Sequence, residues 1–264
     1  AEMRRADEVG RAEQHAFLGR LHGEDVEPGA RDVARDQEVA HRKLVDQAVI
    51  LLAPRPAFSE AFLNLSLVAC EAAGIPAIIA LNKSDLDEHK AFRETLVPYE
   101  RIGYTVISMS AKFDTASLLP LLEGKITLLV GQSGMGKSKT VNALVMNEVA
   151  RVGEISASLG IGTHTTTFSR MFRLDRDAAI VDTPGFQSFG LFHLTEGQIA
   201  EAMREFRPFL GQCKFNDCSH LSEPGCAIVG AMNSGAITAS RLSFYQVLLE
   251  QHRELHEKHP DWGR

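Results

Sequence analysis

Eight residues near the middle of the chain have the types and spacing that bind phosphate groups. The run GQSGMGKS at 131–138 matches G-x-x-x-x-G-K-[S/T], and the apolar run before it predicts a buried strand. Glycines let backbone N–H groups point at phosphate oxygens, and the following helix adds its positive end. Lys137 would reach the β- and γ-phosphates, and the Ser138 hydroxyl would bind Mg²⁺. The predicted phosphate-binding residues are Gly131, Gln132, Ser133, Gly134, Met135, Gly136, Lys137, Ser138 and Lys139.

Two shorter motifs have the chemistry to recognise guanine. In NKSD at 82–85, the Asp85 carboxylate can accept hydrogen bonds from the ring N–H and the exocyclic amine together, whereas adenine would leave it unpaired. We expect Asn82 to tie this loop to the phosphate loop and the Lys83 stem to cover the base. In SAK at 110–112, a backbone N–H would meet the guanine carbonyl. The predicted guanine-binding residues are Asn82, Lys83, Ser84, Asp85, Ser110, Ala111 and Lys112.

Downstream residues could complete a magnesium site. Asp182 and Gly185 form Asp-x-x-Gly after an apolar strand, which supplies a carboxylate on the Mg²⁺ side and a glycine that senses the γ-phosphate. The threonines at 165–167 lie where a switch segment could close a hydroxyl onto the ion. We expect Ser138 and Thr166 to bind Mg²⁺. With the two guanine motifs and the phosphate loop, these signals predict a GTPase that uses GTP/GDP and Mg²⁺.

The position after Asp-x-x-Gly predicts slow intrinsic hydrolysis. Ras-type enzymes orient the attacking water with a glutamine there, but this chain has Phe186, which cannot hydrogen-bond to water. We expect a partner to complete the site. His164, beside the switch threonines, is the candidate for positioning the water, and an exposed histidine without a catalytic role is an equal alternative.

Three cysteines and a histidine near the C-terminus have the spacing of a metal site. Cys213, Cys218, His220 and Cys226 offer three thiolates and one imidazole within a short loop. Such a closed set of four suits tetrahedral Zn²⁺ with a structural role. We expect one structural Zn²⁺ that holds together a small helical module with no core of its own. The other cysteine, Cys70, lies in an apolar segment and is expected to pack in a core.

The elements that must position these motifs alternate between strand and helix. Such alternation predicts an α/β fold with a doubly wound parallel sheet and ligands at the carboxyl ends of its strands. Residues 168–174 and 178–181 are expected to form a hairpin. The other predicted strands cover 45–53, 75–81, 104–109 and 126–130, and the predicted helices cover 58–73, 87–101, 118–122, 195–206, 227–235 and 239–257.

The order of the motifs differs from that in Ras-like GTPases, where the phosphate loop comes first. Here the guanine motifs precede it, so we expect a circularly permuted P-loop GTPase domain. The switch segment then leads directly into the C-terminal module. We divide the chain into an atypical N-terminal segment (1–43), the GTPase domain (44–194) and a helical zinc-binding domain (195–264).

Composition gives little electrostatic reason for nucleic-acid binding. The formal net charge of the 264-residue chain is −6, and 44% of its residues are hydrophobic. No apolar run approaches a membrane span and no signal-peptide pattern precedes the domain, so we expect a cytoplasmic protein with no membrane partner. Because acids alternate with them, the basic and aromatic residues of the last helices are expected to form a solvated face. These are Arg241, Tyr245, His252, Arg253 and Lys258.

The chain resembles the ribosome small-subunit-dependent GTPase A family (RsgA, also YjeQ or YloQ). The resemblance runs from about residue 45 to the C-terminus and is carried by the permuted motif order and by the runs GTHTTT, DTPGF, FGLFHL and CKFNDCSHLSEPGCAI. It implies a monomeric GTPase that acts late in maturation of the bacterial 30S subunit, contacts 16S rRNA and is stimulated by that subunit. By position, the resemblance implies that residues 82–85 and 131–139 bind GTP and that the three cysteines and His220 bind zinc.

The sequence departs from the family pattern in two places. Family members carry an N-terminal OB-fold that helps to grip RNA, and residues 1–43 lack its pattern of short strands. Lys139 stands where the family usually has Ser, and Met135 where it usually has Val. Both positions lie outside the G-x-x-x-x-G-K-S requirements, so we expect nucleotide binding to survive.

Two alternatives stay open, and a third is disfavoured. A nucleotide-gated RNA-binding scaffold would bind GTP with little turnover. A non-functional relative would bind no guanine nucleotide at all. An ATP-specific kinase is disfavoured by Asp85, and a competition assay with ATP would test it.

Overall fold

Six strands form the sheet that positions the predicted motifs. The computed structural model describes residues 45–152, 170–174, 177–182, 191 and 193–258, with the backbone alone for 147–152. Within these ranges the strands are β1 (Gln47–Leu52), β2 (Ala77–Leu81), β3 (Thr105–Ser108), β4 (Ile126–Val130), β5 (Arg170–Arg173) and β6 (Ala179–Asp182). Their hydrogen-bonded order is β3-β2-β1-β4-β6-β5.

The sheet is parallel except for one edge. Strand β5 pairs antiparallel with β6, which confirms the predicted hairpin, and all other pairs are parallel. Every residue of β1 and β2 is buried, because both faces of a parallel sheet are covered. Alternate residues of β1 enter different cores, Ile50 and Leu52 on one face and Val49 and Leu51 on the other. The predicted doubly wound α/β fold is confirmed.

Helices cover the sheet and form a C-terminal module, by which we mean residues 195–258. The described α-helices are α1 (Glu60–Ala72), α2 (His89–Thr95), α3 (Val97–Arg101), α4 (Leu119–Leu122), α5 (Lys137–Val152), α6 (Glu196–Ala202), α7 (Ala227–Asn233) and α8 (Ala239–Lys258), with a 3₁₀ turn at Arg207–Phe209. Among the described residues, no helix combines the length and apolar character needed to cross a membrane.

Two predicted helices differ from those observed. The single helix predicted over 87–101 is wrong, because α2 ends and α3 begins on either side of Leu96. Pro98 has no N–H and fits only the first turn of a helix, so it starts a new one. The helix predicted over 195–206 stops at Ala202, and Pro208 lies in the first turn of the 3₁₀ segment that follows.

The C-terminal module has a buried core, so the prediction that it lacks one is wrong. Phe206, Tyr245 and Leu249 are almost wholly buried in an apolar cluster built mainly from α6, α7 and α8. Val68 of α1 belongs to the same cluster. The module is therefore packed against the sheet domain through α1, and its stability does not rest on a metal alone.

The predicted solvated face of the last helix is wrong for three of its five residues. Arg241, Tyr245 and His252 are buried, Arg253 is half-buried, and Lys258 is exposed. Burial is possible because each of these three buried side chains has at least one hydrogen-bond partner, although His252 Nδ1 has none among the described residues. The partners of Arg241, Tyr245 and His252 include Glu205, the Ser219 carbonyl and the Leu194 carbonyl, respectively.

Candidate nucleotide site and metal centre

The loops that carry the predicted motifs meet at one edge of the sheet. Parallel strands end at the same edge, and the register pairs Leu52 with Leu81 and Leu129 with Asp182. The loops after β2, β3 and β4, together with the end of β6, therefore lie side by side. This is the edge at which α/β sheets bind ligands.

Three glycines let the phosphate loop run close to its neighbours. A Cβ atom on Gly131 would lie 2.7 Å from the backbone oxygen of Leu51. Gly134 and Gly136 have φ angles of 80° and 100°, and a Cβ there would strike the Pro56 ring and the Asn82 amide, respectively. The geometry therefore requires glycine at all three positions.

Lys137 and Asp182 are two partly desolvated groups of opposite charge that interact electrostatically at the phosphate loop. Lys137 Nζ donates to the carbonyl oxygens of Gly131 and Gln132, the latter at 3.2 Å. Burial lowers the pKa of Lys137 and raises the pKa of Asp182, and the nearness of the two groups opposes both shifts. Asp182 is 6% exposed, and its Oδ1 has no hydrogen-bond partner among the described residues. Such an unsatisfied carboxylate fits a site for Mg²⁺.

The Asn82 side chain joins three loops. Its Nδ2 donates to the Met135 carbonyl at 2.9 Å, and its Oδ1 accepts from the backbone N–H groups of Lys83 and Ala111, both at 2.8 Å. Lys83 has a left-handed φ of 62°, and its Nζ donates to the Gly134 carbonyl at 2.9 Å. The predicted tie between the NKSD loop and the phosphate loop is present.

Asp85 is held as an ionised carboxylate. The Ser110 hydroxyl donates to its Oδ1 at 2.7 Å, and this bond lowers the pKa of Asp85, with smaller contributions from Lys112 and Lys83. The backbone N–H of Ser84 donates to the Met109 carbonyl at 3.0 Å, which orients the loop. Asp85 and Lys112 are both exposed at the sheet edge, where a base could reach them.

The remaining predicted residues fall into three groups. The Met135 side chain is buried in the core, so this residue could offer a nucleotide only its backbone. Ser133, Ser138 and Lys139 are exposed at the mouth of the loop. His164, Thr166 and Gly185 lie outside the described residues.

The four predicted metal ligands come together in the C-terminal module. The ligand atoms of Cys213, Cys218, His220 and Cys226 all lie within 4.8 Å of one another. His220 Nδ1 is 3.4 Å from the Sγ of Cys213 and 3.6 Å from that of Cys226. Three soft sulfurs and one nitrogen in a closed group fit tetrahedral Zn²⁺.

Loop geometry and the protonation of His220 suit metal binding, whereas the protonation of Cys218 opposes it. His220 has a left-handed φ of 63°, which turns its ring into the cluster. Burial lowers the pKa of His220, so the ring is neutral at pH 7, as a ligand must be. Burial raises the pKa of the Cys218 thiol to about 12, so metal binding has to displace its proton.

Comparison with known proteins identifies the family. The RsgA GTPase family model matches residues 30–192. "Small ribosomal subunit biogenesis GTPase RsgA" of Nitrosospira multiformis is 44% identical over 219 residues, which cover 83% of this chain and 69% of that protein. The protein of the same name from Burkholderia mallei is 48% identical over 212 residues, 78% of this chain and 68% of that one. The chain belongs to the RsgA GTPase family.

Solved structures of RsgA-type proteins share the fold. YjeQ from Thermotoga maritima matches with a TM-score of 0.65 at 29% identity, covering 81% of this chain and 73% of that chain. YloQ, described as a circularly permuted GTPase, matches with a TM-score of 0.63 at 29% identity, covering 81% and 69%. The predicted circular permutation is thereby confirmed.

Glu223 of this RsgA family member was not singled out from the sequence, and Gln132, which was predicted to bind phosphate, makes a contact that was not predicted. Gln132 Oε1 accepts from the backbone N–H of Ser59 at 2.9 Å, so its side chain points at α1. Glu223 accepts from the Ser219 hydroxyl and from loop amides such as Leu221 N, and the Ser219 bond is the main cause that lowers its pKa to about 2. Glu223 could have been recognised from its position, because it is an acidic residue inside the loop that carries the predicted metal ligands. The contact between Gln132 and Ser59 had no such signal, because its partner is a backbone group far along the chain.

Proposed function

We propose that this chain hydrolyses GTP to GDP and phosphate as a late assembly factor of the bacterial small (30S) ribosomal subunit. The relatives named above are small ribosomal subunit biogenesis GTPases, and membership of their family supports the same role here. One observation carries the nucleotide assignment. The Asn82 amide holds the NKSD, SAK and phosphate loops in one hydrogen-bonded unit at the carboxyl edge of the sheet.

The roles of the guanine-side residues follow from their chemistry. Asp85 would accept from guanine N1–H and its amine, since it is ionised and oriented by Ser110. A backbone N–H of the SAK loop would meet the guanine carbonyl, and the Lys83 stem would cover the base. A carboxylate in this place rejects adenine, which lacks the matching donors.

The phosphate-side residues would hold GTP and Mg²⁺. Backbone groups of 131–139 would cradle the phosphates, and Lys137 would leave the loop carbonyls to contact the β- and γ-oxygens. Ser138 and Thr166 would bind Mg²⁺, Asp182 would supply a carboxylate on the Mg²⁺ side, and Gly185 would sense the γ-phosphate. Bound Mg²⁺ would neutralise charge that develops on the phosphates.

Hydrolysis would depend on the ribosomal partner. Phe186 cannot orient a water, so we propose slow intrinsic turnover and stimulation by the 30S subunit. His164 is the candidate for positioning that water. The partner would be contacted through 16S rRNA by a monomeric, cytoplasmic protein.

The metal would have a structural part in this activity. We propose a GTPase domain of residues 44–194 and a zinc-binding domain of 195–264, with Zn²⁺ held by the three cysteines and His220. No ligand position would stay open for a substrate, so the ion would shape the loop and take no part in GTP chemistry.

Turnover with and without purified 30S subunits tests the proposal. We expect weak GTP hydrolysis by the chain alone, at least about tenfold stimulation by 30S subunits, and no competition by ATP. A His164→Ala variant with undiminished stimulation would remove that residue from the mechanism. Tight GTP binding with no turnover, with or without 30S subunits, would favour a nucleotide-gated scaffold. Phe186 is compatible with that alternative, because it cannot orient the attacking water.

A further inference from the structure

The phosphate loop is hydrogen-bonded directly to α1, the first helix of the described residues. The backbone N–H of Ser59, the N-cap of α1, donates to Gln132 Oε1 at 2.9 Å. The backbone carbonyl oxygen of Gln132 accepts a hydrogen bond from Lys137 Nζ at 3.2 Å. Gln132 is thus held on one side by the residue expected to contact phosphate and on the other by α1.

Helix α1 carries polar groups along one face toward the C-terminal module. Glu60, Asn64 and Glu71 are four and seven residues apart, which places them within about 40° of one another around the helix axis. Glu71 accepts hydrogen bonds from Arg204 and Arg207 of the module. The Arg204 guanidinium also donates to the Gly103 carbonyl at 2.7 Å, so its position is defined from two sides. The far end of α1 is thereby tied to the module by two arginines.

The middle of the same face enters a buried ionic cluster. Asn64 Oδ1 accepts from Tyr99 OH and from Arg241 Nη1, both at 2.7 Å. Arg241 also forms an ion pair with Glu205, and each of these two side chains is only 3% exposed. A buried network of this kind has discrete arrangements because an unpaired member is costly.

We propose that α1 is a strut that couples the nucleotide state of the phosphate loop to the position of the C-terminal module. GTP would draw the Lys137 ammonium farther from the Gln132 carbonyl than GDP does, because it adds the γ-phosphate oxygens that Lys137 is expected to contact. Gln132 would then shift the N-terminus of α1, and the helix, about 20 Å long, passes that shift to Asn64 and Glu71. The inference rests on the proposed function, because it needs a guanine nucleotide in this loop.

The test uses linkage, because coupling between two sites is reciprocal. We would measure the dissociation constants of GDP and of a non-hydrolysable GTP analogue for the full chain, and take their ratio. Glu71→Gln weakens the ties to Arg204 and Arg207 at the end of α1 away from the phosphate loop. We expect it to change the ratio by about fivefold or more. Glu196→Gln, which removes the Arg253 ion pair inside the module, is the matched control and should leave the ratio unchanged.

A double-mutant cycle locates the coupling on the strut. In a Gln132→Met background, which lacks the acceptor for Ser59, Glu71→Gln should have no further effect on the ratio. The proposal is overturned if Glu71→Gln leaves the ratio unchanged in the wild type, or changes it equally in the Gln132→Met background. If that variant does not fold, the Glu71→Gln and Glu196→Gln comparison decides alone. A wild-type chain that binds neither nucleotide would instead overturn the proposed function, and the strut with it.

Discussion

At the scale of single residues, the nucleotide site depends on Asn82. Its amide uses both polar atoms on backbone groups of two other loops and of its own. A Cβ on Gly136 would occupy the space that this amide needs. The motif residues therefore constrain one another, and the separate motifs of the sequence are one structural unit.

Asp182 is a second residue whose role can be tested by itself. Replacing it with Asn removes a buried negative charge with an unpartnered oxygen. We expect Asp182→Asn to raise the free energy of unfolding of the nucleotide-free chain by about 1 kcal/mol, measured by urea denaturation. The same variant should lower Mg²⁺-dependent GTP turnover by about tenfold or more. A variant that is less stable and fully active would contradict this role.

The stabilisation by Asp182→Asn should depend on pH. Burial raises the folded-state pKa of Asp182 above its ordinary value of 3.8, so the folded chain binds the proton more tightly than the unfolded chain does. The penalty of the ionised carboxylate is therefore complete at neutral pH and is relieved as pH falls through the raised pKa. The difference between variant and wild type should shrink in acid. A constant difference from pH 7 to pH 3 would mean that the carboxylate charge is not the cause.

At the scale of elements, the strands were predictable and the packing of the last helix was not. The continuous apolar runs at 48–52 and 77–81 predict buried parallel strands, and both are observed. Pro98 was a visible signal for the break between α2 and α3, since proline belongs in the first turn of a helix. For α8, alternating acids and bases predict a solvated face, and only tertiary contacts show that Arg241 is buried against Glu205. That partner lies 36 residues away, beyond any local pattern.

The Arg241–Glu205 pair predicts a large single-mutant effect. Arg241→Met leaves a buried carboxylate unpaired, so we expect it to lower the free energy of unfolding by about 3–5 kcal/mol. Adding Glu205→Gln removes that stranded charge, and the double variant should recover a substantial part of the loss. Urea denaturation of both single variants and the double variant gives the coupling energy. Costs that simply add would contradict a coupled ion pair.

At the scale of the whole molecule, the module has an apolar core and a candidate metal site. Its apolar cluster includes Phe206 and Leu249 and reaches Val68 of α1, whereas the metal ligands lie in the loop before α7. The ligand set was predictable because four residues within 14 positions must be close. The core was not, because its apolar residues are spread mainly over the short helices α6 and α7, the long helix α8 and α1.

Metal removal should therefore unfold a loop rather than the module. We expect one Zn²⁺ per chain by atomic absorption, lost in Cys218→Ser and retained in the control Cys70→Ala, since Cys70 lies buried outside the cluster. After chelation, amide hydrogen exchange should rise at 213–226 while α8 stays protected. Complete exchange of α8 on chelation would show that its core cannot stand without the metal.

The most direct test of the central claim is the base specificity of nucleotide binding. We would titrate the wild-type chain and Asp85→Asn with GDP, ADP and XDP in the presence of Mg²⁺. The wild type should prefer GDP over ADP strongly, and Asp85→Asn should lose about 100-fold in GDP affinity. The variant should gain affinity for XDP, whose carbonyl replaces the guanine amine and can accept from the asparagine amide. Equal affinities for GDP and ADP, or GDP binding that ignores Asp85, would contradict the assignment of a guanine site.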